Sequence, residues 1–125
     1  MPQDKKKILI VEDEAPELTI LLQKVSQAGF TAVGAKNGQE AIDLANKEKP
    51  DLALLDLILP GMGGIDIVKA LRADKHTMPI IILTNISEAE KEEEAKAAGA
   101  NLYLVKTDWT LEQVIDKIKE QLDFN

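Results

Sequence analysis

The chain has no cysteine among its 125 residues. Disulfides and thiolate metal sites are therefore excluded, and a reducing compartment fits. Aromatic residues are scarce, with one Trp, one Tyr and two Phe, so the core has to be built from Ile, Leu, Val and Ala. No stretch approaches the ~20 consecutive apolar residues of a membrane span. The first apolar run, ILIV at 8–11, is short and ends in acids, unlike the core of a signal peptide. An excess of base is also missing: 15 Lys and Arg face 22 Asp and Glu, a formal net charge of −7. Sequence-independent nucleic-acid binding needs a basic footprint and is not expected. The expectation is a soluble, cytoplasmic protein with no membrane and no direct nucleic-acid partner.

What is present is ample apolar content, 45% of residues, which marks a globular chain. The length fits one domain, 1–125, with a core over about 7–122. Five short apolar runs recur: KILIV (7–11), TAVGA (31–35), DLALLD (51–56), PIIILT (79–84) and LYLVK (102–106). Four are nearly continuous in apolar character, as in strands buried on both faces of a parallel sheet.

Helical patterns lie between them. The first carries Leu18, Leu21, Leu22 and Val25 on one face. The second opens at Asn37, with Glu40 as capping-box partner. The third carries Ile65, Val68 and Leu71, before a loop in which His76 is expected to be exposed. The fourth opens at Ser87 with Glu90 and stops at Gly99, offering mostly Ala89, Ala95 and Ala98 for burial. The fifth opens at Thr110 with Gln113, and Trp109 is placed to staple against Val114. It buries Leu111, Val114, Ile115, Ile118 and Leu122. Five βα units imply an α/β fold with right-handed crossovers and helices on both sheet faces.

In such sheets, ligands bind at the carboxyl ends of the strands. Strand one ends in Glu12 and Asp13, strand three in Asp56, strand four in Thr84 and strand five in Lys106. A single polar residue there only marks the chain leaving the core. Jointly, three carboxylates, one ammonium and one hydroxyl would share one sheet edge. Two carboxylates about 5 Å apart repel by roughly 3 kcal/mol at an effective dielectric of ~20. Lys106 supplies one compensating charge, and a hard divalent cation would supply the rest. All-oxygen donors suit Mg²⁺, Mn²⁺ or Ca²⁺ and not zinc. Mg²⁺, which keeps several waters and takes few carboxylates, leaves room for a phosphoryl oxygen, with Mn²⁺ plausible. A carboxylate is a competent nucleophile that forms aspartyl phosphates, and phosphoryl transfer asks mainly for alignment and charge neutralisation.

ILIVEDE (8–14), LLDLILPGMGG (54–64), IILT (81–84) and GANLYLVK (99–106) occur in this order and at these spacings. Together they resemble the receiver domains of two-component response regulators, of the CheY-like kind. The resemblance implies a (βα)5 doubly wound parallel sheet of flavodoxin/CheY-like type, strand order 2-1-3-4-5. It implies a signalling phosphoacceptor, not a classical enzyme, that assists its own phosphorylation and dephosphorylation. Asp56 is then the acceptor, and Asp13, Asp56 and the backbone carbonyl of Ile58 the metal ligands, with Glu12 acting through a metal-bound water. Thr84 and Lys106 are the phosphoryl-sensing pair, and Tyr103 the aromatic residue that changes rotamer as the α4-β5-α5 face switches. Ile58, Asn85 and Ile86 flank the path of an attacking water. The implied partners are a histidine kinase or phosphotransfer protein, and a downstream protein or separate output domain.

The sequence departs from that pattern at three places. Thr107 follows Lys106 where proline is usual, Asn85 follows Thr84 where a smaller residue is usual, and Gly63 stands where an acid or amide is common. Competing classes fit less well. A pseudo-receiver binding module would be expected to lose an acid or the lysine, and neither is lost. A metal-dependent phosphohydrolase of the haloacid-dehalogenase type wants aspartate where Ile58 stands. Flavin binding wants a Ser/Thr/Gly-rich loop, where Glu12–Asp13–Glu14–Ala15–Pro16 would repel phosphate.

Overall fold

The computed structural model describes residues 5–123. Five strands alternate with five α-helices: β1 (Lys7–Val11), α1 (Ala15–Gln27), β2 (Thr31–Ala35), α2 (Gly38–Glu48), β3 (Leu52–Leu55), α3 (Gly64–Ala73), β4 (Ile80–Thr84), α4 (Ala89–Ala98), β5 (Leu102–Val105) and α5 (Leu111–Asp123). All neighbouring strands pair in parallel, in the order β2-β1-β3-β4-β5. That is the expected order. No helix among the described residues is long and apolar enough to cross a membrane.

The continuous apolar runs are explained by two cores, one on each face of the sheet. Strand side chains alternate between faces. Ile8 and Ile10 of β1 pack with Leu18, Leu21 and Val25 of α1 and Val114 and Ile118 of α5. Leu9 and Val11 point the other way, toward Ala41 and Ala45 of α2, Ile67, Val68 and Leu71 of α3 and Ala95 of α4.

The helix ends show which local signals were strong. Asn37 accepts from the Glu40 amide at 2.9 Å, while the Glu40 carboxylate accepts from the Lys36 amide, one residue before the cap. At α5 the box is reciprocal: the Gln113 amide donates to Thr110 Oγ1 at 3.1 Å and the Thr110 amide to Gln113 Oε1 at 2.9 Å. The box expected at Ser87 does not form. Helix α4 starts one residue later, capped by Glu88 without a side-chain hydrogen bond. Of its alanines only Ala95 is buried, and Ala89 is exposed. In α3 the fully buried isoleucine is Ile67, whereas Ile65 only packs at the margin. His76 is half-buried and not exposed, with Nε2 2.8 Å from Asn46 Oδ1. Trp109 is half-buried beside the α1/α5 core, and the Lys117 ammonium lies 5.3 Å from its ring centroid, a cation–π contact.

Arg72 binds the far end of α4. Its guanidinium donates twice to the Gly99 carbonyl (3.1 and 2.8 Å), to the carbonyls of His76 and Met78 (2.8 Å each), and to Asn101 Oδ1 (3.0 Å). Burial lowers its pKa. The C-terminal end of α4 is thereby fixed, while its N-terminal end has neither a side-chain cap hydrogen bond nor a buried side chain.

Candidate functional site

The strand ends meet as expected. Strand pairing extends one residue past β1 and β3: the Glu12 amide donates to the Ala35 carbonyl at 3.0 Å and the Asp56 amide to Val11 at 3.2 Å. The backbones of both acids are therefore held by the sheet. Behind the acceptor, the Gly64 amide donates to the Leu57 carbonyl at 2.8 Å. A Cβ at Gly64 would strike the Asp56 carbonyl and come within 2.7 Å of Leu57 Cα. Glycine is what lets α3 begin directly behind the acceptor.

A pocket of about 380 Å³ opens at this edge, lined by Glu12, Asp13, Glu14, Asp56, Ile58, Thr84, Asn85, Ile86 and Lys106. Every strand-end residue named from the sequence lines it. Lys106 Nζ sits 3.1 Å from Glu12 Oε1, 3.2 Å from Asp56 Oδ2 and 3.1 Å from Glu17 Oε2. Burial alone would lower the Lys106 pKa. The nearby charge of Asp56 and hydrogen bonds to Glu17 and Glu12 outweigh it, so the ammonium is held above its ordinary range. Glu12 is 2% exposed. Its carboxyl is pushed up, chiefly by burial, with the Lys106 hydrogen bond opposing.

Lys106 is followed by a single 3-10 turn, Lys106–Asp108. There is no cis peptide bond among the described residues, so the turn presents the lysine without the proline usual at position 107.

Thr84 is buried at the end of β4, and its Oγ1 accepts from the Ile86 amide at 3.4 Å. The Ile58 amide donates to Asp56 Oδ1 at 3.3 Å. The Ile58 side chain is 63% exposed at the pocket mouth. Tyr103 is 8% exposed, and its hydroxyl donates to the Ile86 carbonyl at 2.7 Å. Burial, with Glu92, Glu88 and Asp56 adding, raises its pKa.

Glu14 and Glu17 were not singled out from the sequence. One carboxylate oxygen from each of Glu12, Glu14 and Glu17 lies within 4.8 Å of the others. Glu17 reaches the site because it sits in the first turn of α1, one helical turn beyond Asp13. Strand-end reasoning stops before that turn. The donor set around the pocket is all oxygen and densely anionic, which fits a hard divalent cation such as Mg²⁺ and no soft metal.

Comparison with known proteins agrees with this architecture. The family model for the response regulator receiver domain matches residues 8–119. Sporulation initiation phosphotransferase F of Bacillus subtilis is 34% identical over 117 residues, covering 94% of each chain. The transcriptional regulatory protein PdtaR of Mycobacterium tuberculosis is 41% identical over 102 residues, covering 81% of this chain and 49% of that protein. The chain thus spans about half the length of that regulator. Among solved structures, a CheY-like response regulator receiver domain protein from Methanospirillum hungatei superposes with a TM-score of 0.90 at 29% identity, covering 96% of this chain and 95% of that one. The chemotaxis response regulator CheY4 of Vibrio cholerae superposes at 0.87 with 31% identity, covering 94% and 99%. The chain belongs to the receiver-domain family of two-component response regulators.

Proposed function

We propose that the chain accepts a phosphoryl group on Asp56 from the phosphohistidine of a histidine kinase or phosphotransfer protein. In the transfer, an Asp56 carboxylate oxygen attacks phosphorus and the bond from phosphorus to the donor's imidazole nitrogen breaks. The observation that carries this reading is the Lys106 ammonium, 3.2 Å from Asp56 Oδ2 in a pocket at the carboxyl edge of the sheet. An ammonium so placed offsets the charge of both nucleophile and phosphoryl group, the main demand of this chemistry. Thr84, buried at the end of the neighbouring strand, is the second donor to phosphoryl oxygens.

Mg²⁺ would be held by Asp13, Asp56 and the Ile58 carbonyl, with Glu12 acting through water, and would supply charge neutralisation. Displacement of the β4–α4 loop on phosphorylation would be passed to the α4-β5-α5 face through the Tyr103–Ile86 hydrogen bond. The likeness to a sporulation phosphotransferase over 94% of both chains supports a role in passing the phosphoryl group onward. A downstream protein or separate output domain reads the state, in the cytoplasm.

The test is intact mass after incubation with acetyl phosphate and Mg²⁺. One phosphoryl group is expected on the wild type and none on Asp56→Asn or in EDTA. Undiminished labelling of the Asn variant would sink the assignment.

A further inference from the structure

An ammonium group has three donor hydrogens. Lys106 has three carboxylate oxygens within 3.2 Å, one each from Glu12, Glu17 and Asp56. Its donors are fully used. To reach a phosphoryl oxygen on Asp56, the lysine has to give one of these contacts up.

The three contacts differ in how easily they are released. The Glu12 and Asp56 side chains are 3% and 12% exposed, and Glu17 is 44% exposed. Freed from Lys106, Glu17 regains water, whereas Glu12 is left enclosed without its cation. Glu17 is also set apart by position. It does not line the pocket around Asp56. It lines the neighbouring groove between α1 and α5, with Ile20, Leu21, Trp109, Leu111 and Val114. Lys106 lines both cavities. Leu18 and Leu21, buried beside it on α1, fix the turn that carries Glu17.

We propose that Glu17 is a positioning residue that acts as a latch. It draws the Lys106 ammonium toward the α1/α5 groove, restrains phosphorylation of Asp56, and is released when Lys106 turns onto the phosphoryl group. The proposal rests on the phosphoacceptor reading above. Asp56 and Glu12 hold Lys106 at the site in either state, and only the Glu17 contact is exchanged.

The test uses acetyl phosphate, a donor too small to touch α1, on wild type, Glu17→Gln and Glu17→Asp, with thermal melts to verify folding. Both variants weaken the contact: Gln keeps an acceptor oxygen but removes the charge, and Asp keeps the charge but shortens the reach. Each is expected to be labelled about two- to fivefold faster than wild type, the scale of a half-exposed ion pair. The Lys106 side-chain resonances in NMR are expected to differ between wild type and Glu17→Gln in the free proteins. They are expected to coincide once beryllofluoride occupies the acceptor, which a merely structural role for Glu17 would not produce. Labelling of Glu17→Gln at or below the wild-type rate would overturn the latch. So would a wild-type rate in Glu17→Asp, because charge without contact would then suffice. If wild type itself takes no label, the phosphoacceptor reading falls and the latch with it.

Discussion

Gly64 shows how closely the acceptor is supported from behind. A methyl group there meets the backbone of Asp56 and Leu57, which cannot yield as a flexible side chain would. We predict that Gly64→Ala lowers stability by about 1–3 kcal/mol, the usual cost of overpacking, and slows labelling of Asp56. Urea melts and acetyl phosphate kinetics measure the two effects. The pocket mouth carries a second prediction. Ile58 and Ile86 line it and can neither donate to nor orient a water through their side chains. Positioning an attacking water is worth several kcal/mol, so the phosphorylated form is expected to be long-lived. Ile58→Asn, Ile86→Glu and the double variant are expected to lose phosphate faster; decay at or below the wild-type rate in all three would show that these side chains do not set the lifetime. Much of the residue-level picture is legible in the sequence, because a strand that ends in a charged residue announces where the charge will lie. Glu12, Asp13, Asp56, Thr84 and Lys106 were all found that way. Glu17 was not, since its place depends on the Lys106 side chain reaching the first turn of α1, 89 residues away in sequence, and that contact has no local signature.

At the scale of elements, α4 is the weakest unit. It buries only Ala95, while α5 buries Val114 and Ile118 and packs Leu111, Ile115 and Leu122 against them. With apolar burial worth about 25 cal/mol per Å², so little area gives little hold. The amides of Ala89–Ala98 are expected to exchange faster than those of α5, and residues 85–106 are expected to show the largest change on phosphorylation. A change confined to α1 and α2 would refute this. Arg72 holds the Gly99 end through its hydrogen bonds, so any phosphorylation-dependent shift of α4 is expected to be larger at its Glu88 end. Arg72→Met removes five hydrogen bonds and is expected to cost about 2–4 kcal/mol, with faster exchange at the C-terminal end of α4. Nothing local warned that α4 lacks a side-chain cap. Ser87 and Glu90 have the right spacing, but the loop leaving Thr84 is held by the Ile86 contacts to Thr84 and Tyr103, and the helix starts one residue later. Tertiary contacts override a capping signal of about 1 kcal/mol. Where signal and packing agree, as at Thr110 and Gln113, the boundary was legible.

For the whole molecule, acidity is unevenly used. At the amino end of the sheet, Lys7 Nζ lies 2.8 Å from Glu48 Oε1. The hydrogen bond and charge of Lys7 lower the Glu48 pKa below its ordinary 4.5. Because the folded value is the lower one, this pair's contribution is complete above that ordinary value and is lost as pH falls through the folded value. Glu48→Gln is therefore expected to be less stable than wild type at about pH 7, with the difference shrinking as pH falls below the ordinary glutamate value, read by urea melts. At the carboxyl end, Lys106 offsets only part of the negative charge of Glu12, Asp13, Glu14, Glu17 and Asp56, so a divalent cation is expected to stabilise the fold. Mg²⁺ at ten times its Kd is expected to add about 1.4 kcal/mol of stability, and less in Asp13→Ala. The central claim, that Asp56 carries the phosphoryl group, is tested most directly by trapping. An acyl phosphate is reduced by borohydride to the alcohol, so the acetyl phosphate-treated protein is reduced, digested and read by peptide mass spectrometry. The account predicts homoserine at position 56, dependent on Mg²⁺. Homoserine at Asp13 or another aspartate, or the corresponding alcohol at a glutamate, with Asp56 unchanged, would contradict it.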